Sequence, residues 1–224
     1  DFGAFTQLYF TTKRWNLIAG LRYDNFSRYG VSSNPRFAAL YKFSDKVSAR
    51  GSFATAFRVP SPFYSANTYE VNTDNFSSFE TGNFEIQPER TQSVELGIRW
   101  NYRDKFLTDL SFFYSNTNNF LSNNFVLNNN PGETTTAAIG YFNDANSSML
   151  LYGWQTRMQL RRFIERYPHV NMELNFNVSR GREVLPFEIG KINRVRLQPT
   201  FSGQFKLSFN PFNKIYVHFN NVFS

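Results

Sequence analysis

From Val170 onward, apolar and polar residues change places at every step. Val170, Met172, Leu174, Phe176 and Val178 alternate with Asn171, Glu173, Asn175, Asn177 and Ser179. A repeat of two sends successive side chains to opposite faces of a β-strand, so this segment has one oily face and one wet face. Val94, Leu96, Ile98, Trp100 and Tyr102 alternate in the same way with Ser93, Glu95, Gly97, Arg99 and Asn101. Leu197, Phe201, Phe205, Leu207 and Phe209 repeat the pattern less cleanly, because Pro199 and Gly203 lie on their row and weaken or bend a strand. The alternation predicts ten strands, over 3–12, 17–24, 35–43, 47–58, 91–102, 106–115, 149–162, 170–180, 195–209 and 215–223.

The joins between these strands fall into two classes. Lys13–Asn16, Ser44–Lys46, Arg103–Lys105, Phe163–His169 and Asn210–Lys214 are short; Asn25–Asn34, Val59–Arg90, Asn116–Ser148 and Gly181–Arg194 are longer. Short and long joins alternate, as in an antiparallel up-and-down barrel of the outer-membrane type, with tight turns at the periplasmic rim and long loops outside. A soluble sandwich has no reason to gather its long loops at one end.

Composition supports the membrane reading. The 224 residues include 27 Phe, 12 Tyr and 3 Trp and no Cys, yet the mean hydropathy is −0.45. Alternating strands combine many aromatics with low average hydropathy in this way. No run approaches the ~18 apolar residues of a transmembrane helix. Asp1–Phe5 shows no basic start, apolar block and cleavage site, so the chain is read as mature or truncated. The net charge of +7 is spread singly along strands, without the cluster or recognition helix that nucleic-acid binding requires. His169 and His218 are too few and too far apart to hold a metal. Trp15, Trp100 and Tyr102 fall by short turns and Tyr23, Tyr114 and Trp154 by long loops, so two interfacial aromatic girdles are expected.

Turning the apolar parity outward fixes what points inward. The basic members of the inner face are Arg22, Arg36, Lys42, Arg50, Arg58, Arg99, Arg157, Arg161 and Lys206; the acidic members are Asp24, Glu95, Asp109 and Glu173. Each Arg or Lys would cost about 2–4 kcal/mol against lipid near the midplane. Their confinement to one parity predicts that the other meets hydrocarbon and that these residues face a wet lumen.

Several short motifs resemble one family. Gly20-Leu21-Arg22-Tyr23-Asp24 ends a strand, and Ala56-Phe57-Arg58-Val59-Pro60-Ser61 ends another in the Phe-Arg-x-Pro-Ser manner. After a long loop come Gly82-Asn83 and Gln87-Pro88-Glu89-Arg90, then Ser93, Glu95 and Gly97, with Ile86 where the family carries Leu, and later the Phe112-Phe113-Tyr114 strand. In order and spacing this is similar to the barrels of TonB-dependent receptors. The resemblance covers essentially the whole chain. It implies about ten strands of a larger, 22-stranded transmembrane barrel in the bacterial cell outer membrane, with residues 1–224 forming a partial barrel domain. The plug domain, the TonB-contacting segment and the final aromatic-ended strand are expected to be missing, with Ile215–Ser224 stopping inside a strand.

The resemblance further implies active import of a scarce ligand with energy from the TonB complex, acting through the plug. The wall itself performs no chemistry, and no catalytic residue or cofactor is expected. The partners implied are outer-membrane lipids, TonB and a small ligand: a siderophore, cobalamin, a glycan or a peptide. Some subfamilies add a surface lipoprotein lid; no residue here points to one. Loop aromatics are the candidate ligand contacts: Phe63, Tyr64, Tyr69, Phe76, Phe79, Phe120 and Phe125. Arg58 and Glu89, at the outer ends of neighbouring strands, are expected to pair and fix the base of the long loop. The competing readings are a passive porin or adhesin barrel and an outer-membrane barrel hydrolase. The hydrolase needs a His at the loop rim, whereas both His lie on the short-turn side.

Overall fold

The computed structural model describes residues 1–66, 68–73, 76–103, 105–128, 135–143, 146–162, 170–185, 192–195, 200–212 and 215–223. Its strands are β1 (Phe2–Thr11), β2 (Trp15–Phe26), β3 (Gly30–Lys42) and β4 (Val47–Arg58), followed by the short helix α1 (Pro62–Ala66). Then come β5 (Thr68–Thr73), β6 (Phe76–Thr81), β7 (Glu89–Tyr102), β8 (Phe106–Asn118), β9 (Ser122–Asn128) and β10 (Thr135–Phe142). The chain closes with β11 (Ser148–Arg161), β12 (Asn171–Val184), β13 (Asn193–Arg194), β14 (Phe201–Phe212) and β15 (Ile215–Phe223). No helix among the described residues is long and apolar enough to cross a membrane.

Ten of these strands pair in the order β1-β2-β3-β4-β7-β8-β11-β12-β14-β15, with β13 added beside β12. Every pairing in this wall is antiparallel. The register sorts the side chains into two faces. One transverse row runs Phe10, Leu17, Ala39, Gly51, Leu96, Phe112, Trp154, Val178 and Phe201. A row on the other face runs Ser48, Arg99, Asp109, Arg157, Asn175 and Gln204.

The oily face is not a buried core. Leu96 is 59% and Phe112 55% exposed, and Leu17, Phe37, Val94, Ile98 and Phe201 are exposed with them. Soluble monomers rarely show a contiguous apolar surface of this extent, whereas hydrocarbon accepts it. At the short-turn rim the same face carries ring clusters. Trp15 lies 4.5 Å from Tyr41, and Tyr41 4.8 Å from Phe43. Trp100 lies 5.5 Å from Phe106 and 6.1 Å from Tyr102. Trp154 departs from the girdle expectation: it sits mid-strand in β11, opposite Phe112 and Val178.

Three expectations about the joins need correction. Over Asn25–Asn34 the strands continue, leaving only the Ser27–Tyr29 turn, closed by Gly30 at φ +71°. Only glycine enters that conformation without a steric cost. The residues read as a loop are polar because Ser32 and Asn34 belong to the wet face. The joins Val59–Arg90 and Asn116–Ser148 hold a second sheet, in the order β5-β6-β10-β9, in which β10 runs parallel to β6. The strand expected over 195–209 begins at Phe201, and a register shift between Phe209 and Phe212 brackets Pro211, which has no N–H for the ladder. In β3, pairing with β4 stops at Arg36. Pro35 has no N–H to offer there, and the Thr55 hydroxyl donates to its carbonyl at 3.3 Å instead.

Candidate functional site

The basic and acidic residues assigned inward by parity share one face of the wall, and most are joined. Arg50 donates to Asp109 at 2.8 Å and to Glu95 at 3.3 Å; Arg99 donates to the other oxygen of Asp109 at 2.8 Å. Arg22 pairs with Asp24 at 2.8 Å, and Arg157 with Glu173 at 3.2 Å. Glu173 also accepts from Gln159 (3.2 Å) and Asn175 (3.0 Å), while Arg161 donates to Gln159 (2.8 Å). Asn175 and Gln204 carry the polar chain on to Asn220, and Arg36 bonds to Gln7. Lys206 stands opposite Glu173, and Lys42 opposite Ser48. Arg50, Arg99, Asp109, Gln155, Arg157 and Asn175 line a cavity of about 740 Å³ on this face.

Two further acids belong to this face. Glu89, opposite Arg58, and Glu183, opposite Met149, fall on the same face and narrow its basic excess. The face is also less purely polar than β7 and β12 suggest, since Ile18, Leu40, Phe113 and Leu151 lie on it.

Two elements of the Glu-x-Gly motif now have physical roles. Glu95 takes the Arg50 guanidinium, and Gly97 makes room for it. A Cβ at Gly97 would stand 2.7 Å from the Arg50 Cζ and 2.9 Å from its Nη1. Replacing Gly97 by Ala is therefore expected to push Arg50 off Asp109, at a cost of about 1 kcal/mol. A double-mutant cycle with Asp109→Asn, read from urea unfolding of the full-length protein in vesicles, checks this. Once Arg50 is displaced, Asp109→Asn should cost less, and strictly additive losses would reject the link.

At the long-loop rim the expected pair is present. Arg58 Nη1 lies 3.2 Å from Glu89 Oε2, and the Glu89 side chain is only 8% exposed. Its other oxygen accepts the Leu121 N–H at 2.9 Å. Of the candidate ligand contacts, Phe63 and Tyr64 lie on α1 with ring centroids 5.8 Å apart. Both meet Tyr141 at the end of β10, Tyr64 at 4.5 Å and Phe63 at 6.4 Å. Nothing in the sequence singles out Tyr141, which belongs to no motif. Phe120 stands apart beyond β8, where its N–H donates to the Ser147 carbonyl at 3.3 Å. Tyr69, Phe76, Phe79 and Phe125 take places on β5, β6 and β9, but their side chains lie outside the described residues. Arg28, in the turn after β2, donates to Ser65 Oγ (3.2 Å) and to the Phe84 carbonyl (2.7 Å), tying that hairpin to the loop layer.

Among the described residues no three His, Asp or Glu side chains gather as metal ligands. His218 on β15 contacts the Ser208 hydroxyl at 3.1 Å; His169 and the join 163–169 lie outside the described residues.

Antiparallel strands with one apolar exposed face, one charged face, ring clusters at the short-turn rim and long loops at the other define a wall of an outer-membrane β-barrel. The family described as TonB dependent receptor-like, beta-barrel matches residues 1–213, and the chain belongs to that family of the bacterial outer membrane. A probable TonB-dependent siderophore receptor, PirA of Acinetobacter baumannii, is 25% identical over 138 residues, which are 58% of this chain and 18% of that protein. The crystal structure of the siderophore receptor PirA from the same organism superposes with a TM-score of 0.72 at 17% identity, covering 97% of this chain and 32% of that one. A variant of the ferric enterobactin receptor PfeA from Pseudomonas aeruginosa, in complex with enterobactin, gives a TM-score of 0.69 at 15% identity over 94% of this chain and 30% of that one. The chain thus spans less than a third of the length of the relative's sequence and about a third of the solved structures it matches.

Proposed function

We propose that the chain is the wall and part of the outer vestibule of a receptor that imports a ferric siderophore across the outer membrane with energy from TonB. The observation that carries this reading is a wet face richer in basic than acidic groups beneath a loop layer that presents Phe63, Tyr64 and Tyr141. An iron chelate is commonly anionic and often bears aromatic groups. Basic walls raise its local concentration, and rings offer it stacking surfaces. The receptors named above bind siderophores, which supports that cargo over cobalamin, a glycan or a peptide. In this reading the ion-paired wet face looks into the lumen. Its polar groups and its apolar members, Phe113 and Leu151 among them, meet a plug domain through which TonB acts. The wall catalyses nothing.

Uptake of radiolabelled iron by cells carrying the full-length gene tests this, with ferric enterobactin and a ferric hydroxamate as probes. Saturable uptake that disappears when TonB is deleted or the proton gradient is collapsed is expected. Uptake that survives both treatments and does not saturate would reject the receptor reading in favour of a passive porin.

A further inference from the structure

The run Gly82-Asn83 to Gln87-Pro88-Glu89 stands between the wall and the loops, and import as such gives it no task. In the fold it meets the other long join, 119–147, residue by residue. Asn83 donates its N–H to the Tyr64 carbonyl (2.9 Å) and its side-chain amide to the Tyr141 carbonyl (3.0 Å). Its Oδ1 accepts from the Glu85 N–H at 2.9 Å. One residue, through its backbone N–H and its side-chain amide, thus holds the main chain on both sides of the Tyr64–Tyr141 ring pair.

Asn143 does the same for Gln87. Its Oδ1 accepts the Gln87 N–H (2.9 Å), and its Nδ2 donates to the Gln87 carbonyl (2.6 Å) and to the Asn119 carbonyl (2.9 Å). A peptide offers one donor and one acceptor, and a side-chain amide matches both at once. Asn119 adopts the left-handed conformation (φ 54°), which Asn tolerates better than most residues, and donates to the Pro88 carbonyl at 3.3 Å. Glu89 closes the set through the Leu121 N–H, and Ile86, 1% exposed, is the apolar peg among these bonds. Above them, β6 and β10 pair in parallel over Phe76–Thr81 and Thr135–Gly140.

We propose that this run and its partners Asn119 and Asn143 are a fastener: they bind two loops that are distant in sequence into one body and act as positioning residues for the Tyr64–Tyr141 pair. Neither loop can swing without releasing bonds made by the other. The two therefore open and close together as one cooperative unit. The consequence for ligand capture rests on the transport reading above; the joining of the loops does not.

Hydrogen exchange of the full-length receptor in detergent micelles reads the coupling directly. Asn143→Asp keeps the size, removes both donors and sets a carboxylate against the Gln87 and Asn119 carbonyls. Exchange is expected to rise about tenfold or more in 68–81 as well as in 122–142, with β7 and β8 unchanged. Faster exchange confined to the neighbourhood of residue 143, with 68–81 unaffected, would overturn the proposal. Should Asn143→Asp fail to assemble, Asn83→Asp is read by the same two outcomes.

Acidification supplies a readout that a generic loss of structure would not move. In Asn143→Asp the protonated carboxyl regains a donor toward Gln87. Protection in 68–81 relative to the intrinsic exchange rate, and binding of ferric enterobactin, should both recover as the pH falls, while protection in the unsubstituted receptor does not change. Coupled exchange with no binding of either ferric probe would retain the fastener and discard the siderophore.

Discussion

Leu96→Arg in the full-length receptor is expected to lower the stability of the folded barrel by about 2–4 kcal/mol. Leu96 lies at the middle of β7, in a row with Gly51, Phe112 and Trp154, and it is 59% exposed on the apolar face. A guanidinium there has no partner, and no water can reach it unless the lipid deforms. The control is Gln155→Arg, one residue from Trp154 and on the opposite face. There the new charge joins Arg50, Asp109 and Arg157 around a wet cavity and should change stability by no more than about 0.5 kcal/mol. Unfolding by urea from lipid vesicles, followed by tryptophan fluorescence, measures both. Equal costs at the two sites would mean that neither face alone meets hydrocarbon, and the membrane reading would fall; a larger cost at Gln155 would mean that the faces are assigned the wrong way round.

This asymmetry is the part of the fold that was legible in the residues. Where a strand alternates apolar with polar or small residues, period two alone places it, and β4 and β15 fall where the alternation puts them. The reading failed where that contrast weakens. Ser32 and Asn34 resembled a loop because both strand faces there hold small or polar groups, and the turn depends on the one glycine at φ +71°. The loop sheet left no trace because β6 and β10 pair across more than fifty residues. Short strands of that kind are stabilised by their partners rather than by their own propensity. Glu89 and Arg58 could be paired from position alone, being at adjacent strand ends. Asn143 could not, because its partners are main-chain groups that a sequence does not display, and Tyr141 could not, because it reaches the Tyr64 ring only through the loop sheet. Gly97 was seen as a motif, and only the register shows that it leaves space for Arg50.

Adding a single methyl group at Gly153 should be nearly as damaging as the charge at Leu96. An ideal Cβ there would stand 2.1 Å from the Val178 carbonyl oxygen and 2.9 Å from both the Ser179 Cα and the Phe113 Cζ. A ring can swing aside, but the main chain of β12 is held by its ladders to β11 and β14. Overpacking against such a neighbour places Gly153→Ala at the upper end of its usual range, about 3 kcal/mol. Gly203 separates the two causes. A Cβ there would meet chiefly the Phe223 ring, at 2.4 and 2.5 Å, with the Asn175 carbonyl at 2.9 Å, so Gly203→Ala should cost about 1 kcal/mol. Trimming Phe113 to Ala in the Gly153→Ala background should recover little, since the clash with the Val178 carbonyl remains. Full recovery in that double variant would assign the cost to the ring. A loss below about 1 kcal/mol for Gly153→Ala alone would show that β11 and β12 are not held this closely, because main chains this tightly approached leave no room for a Cβ.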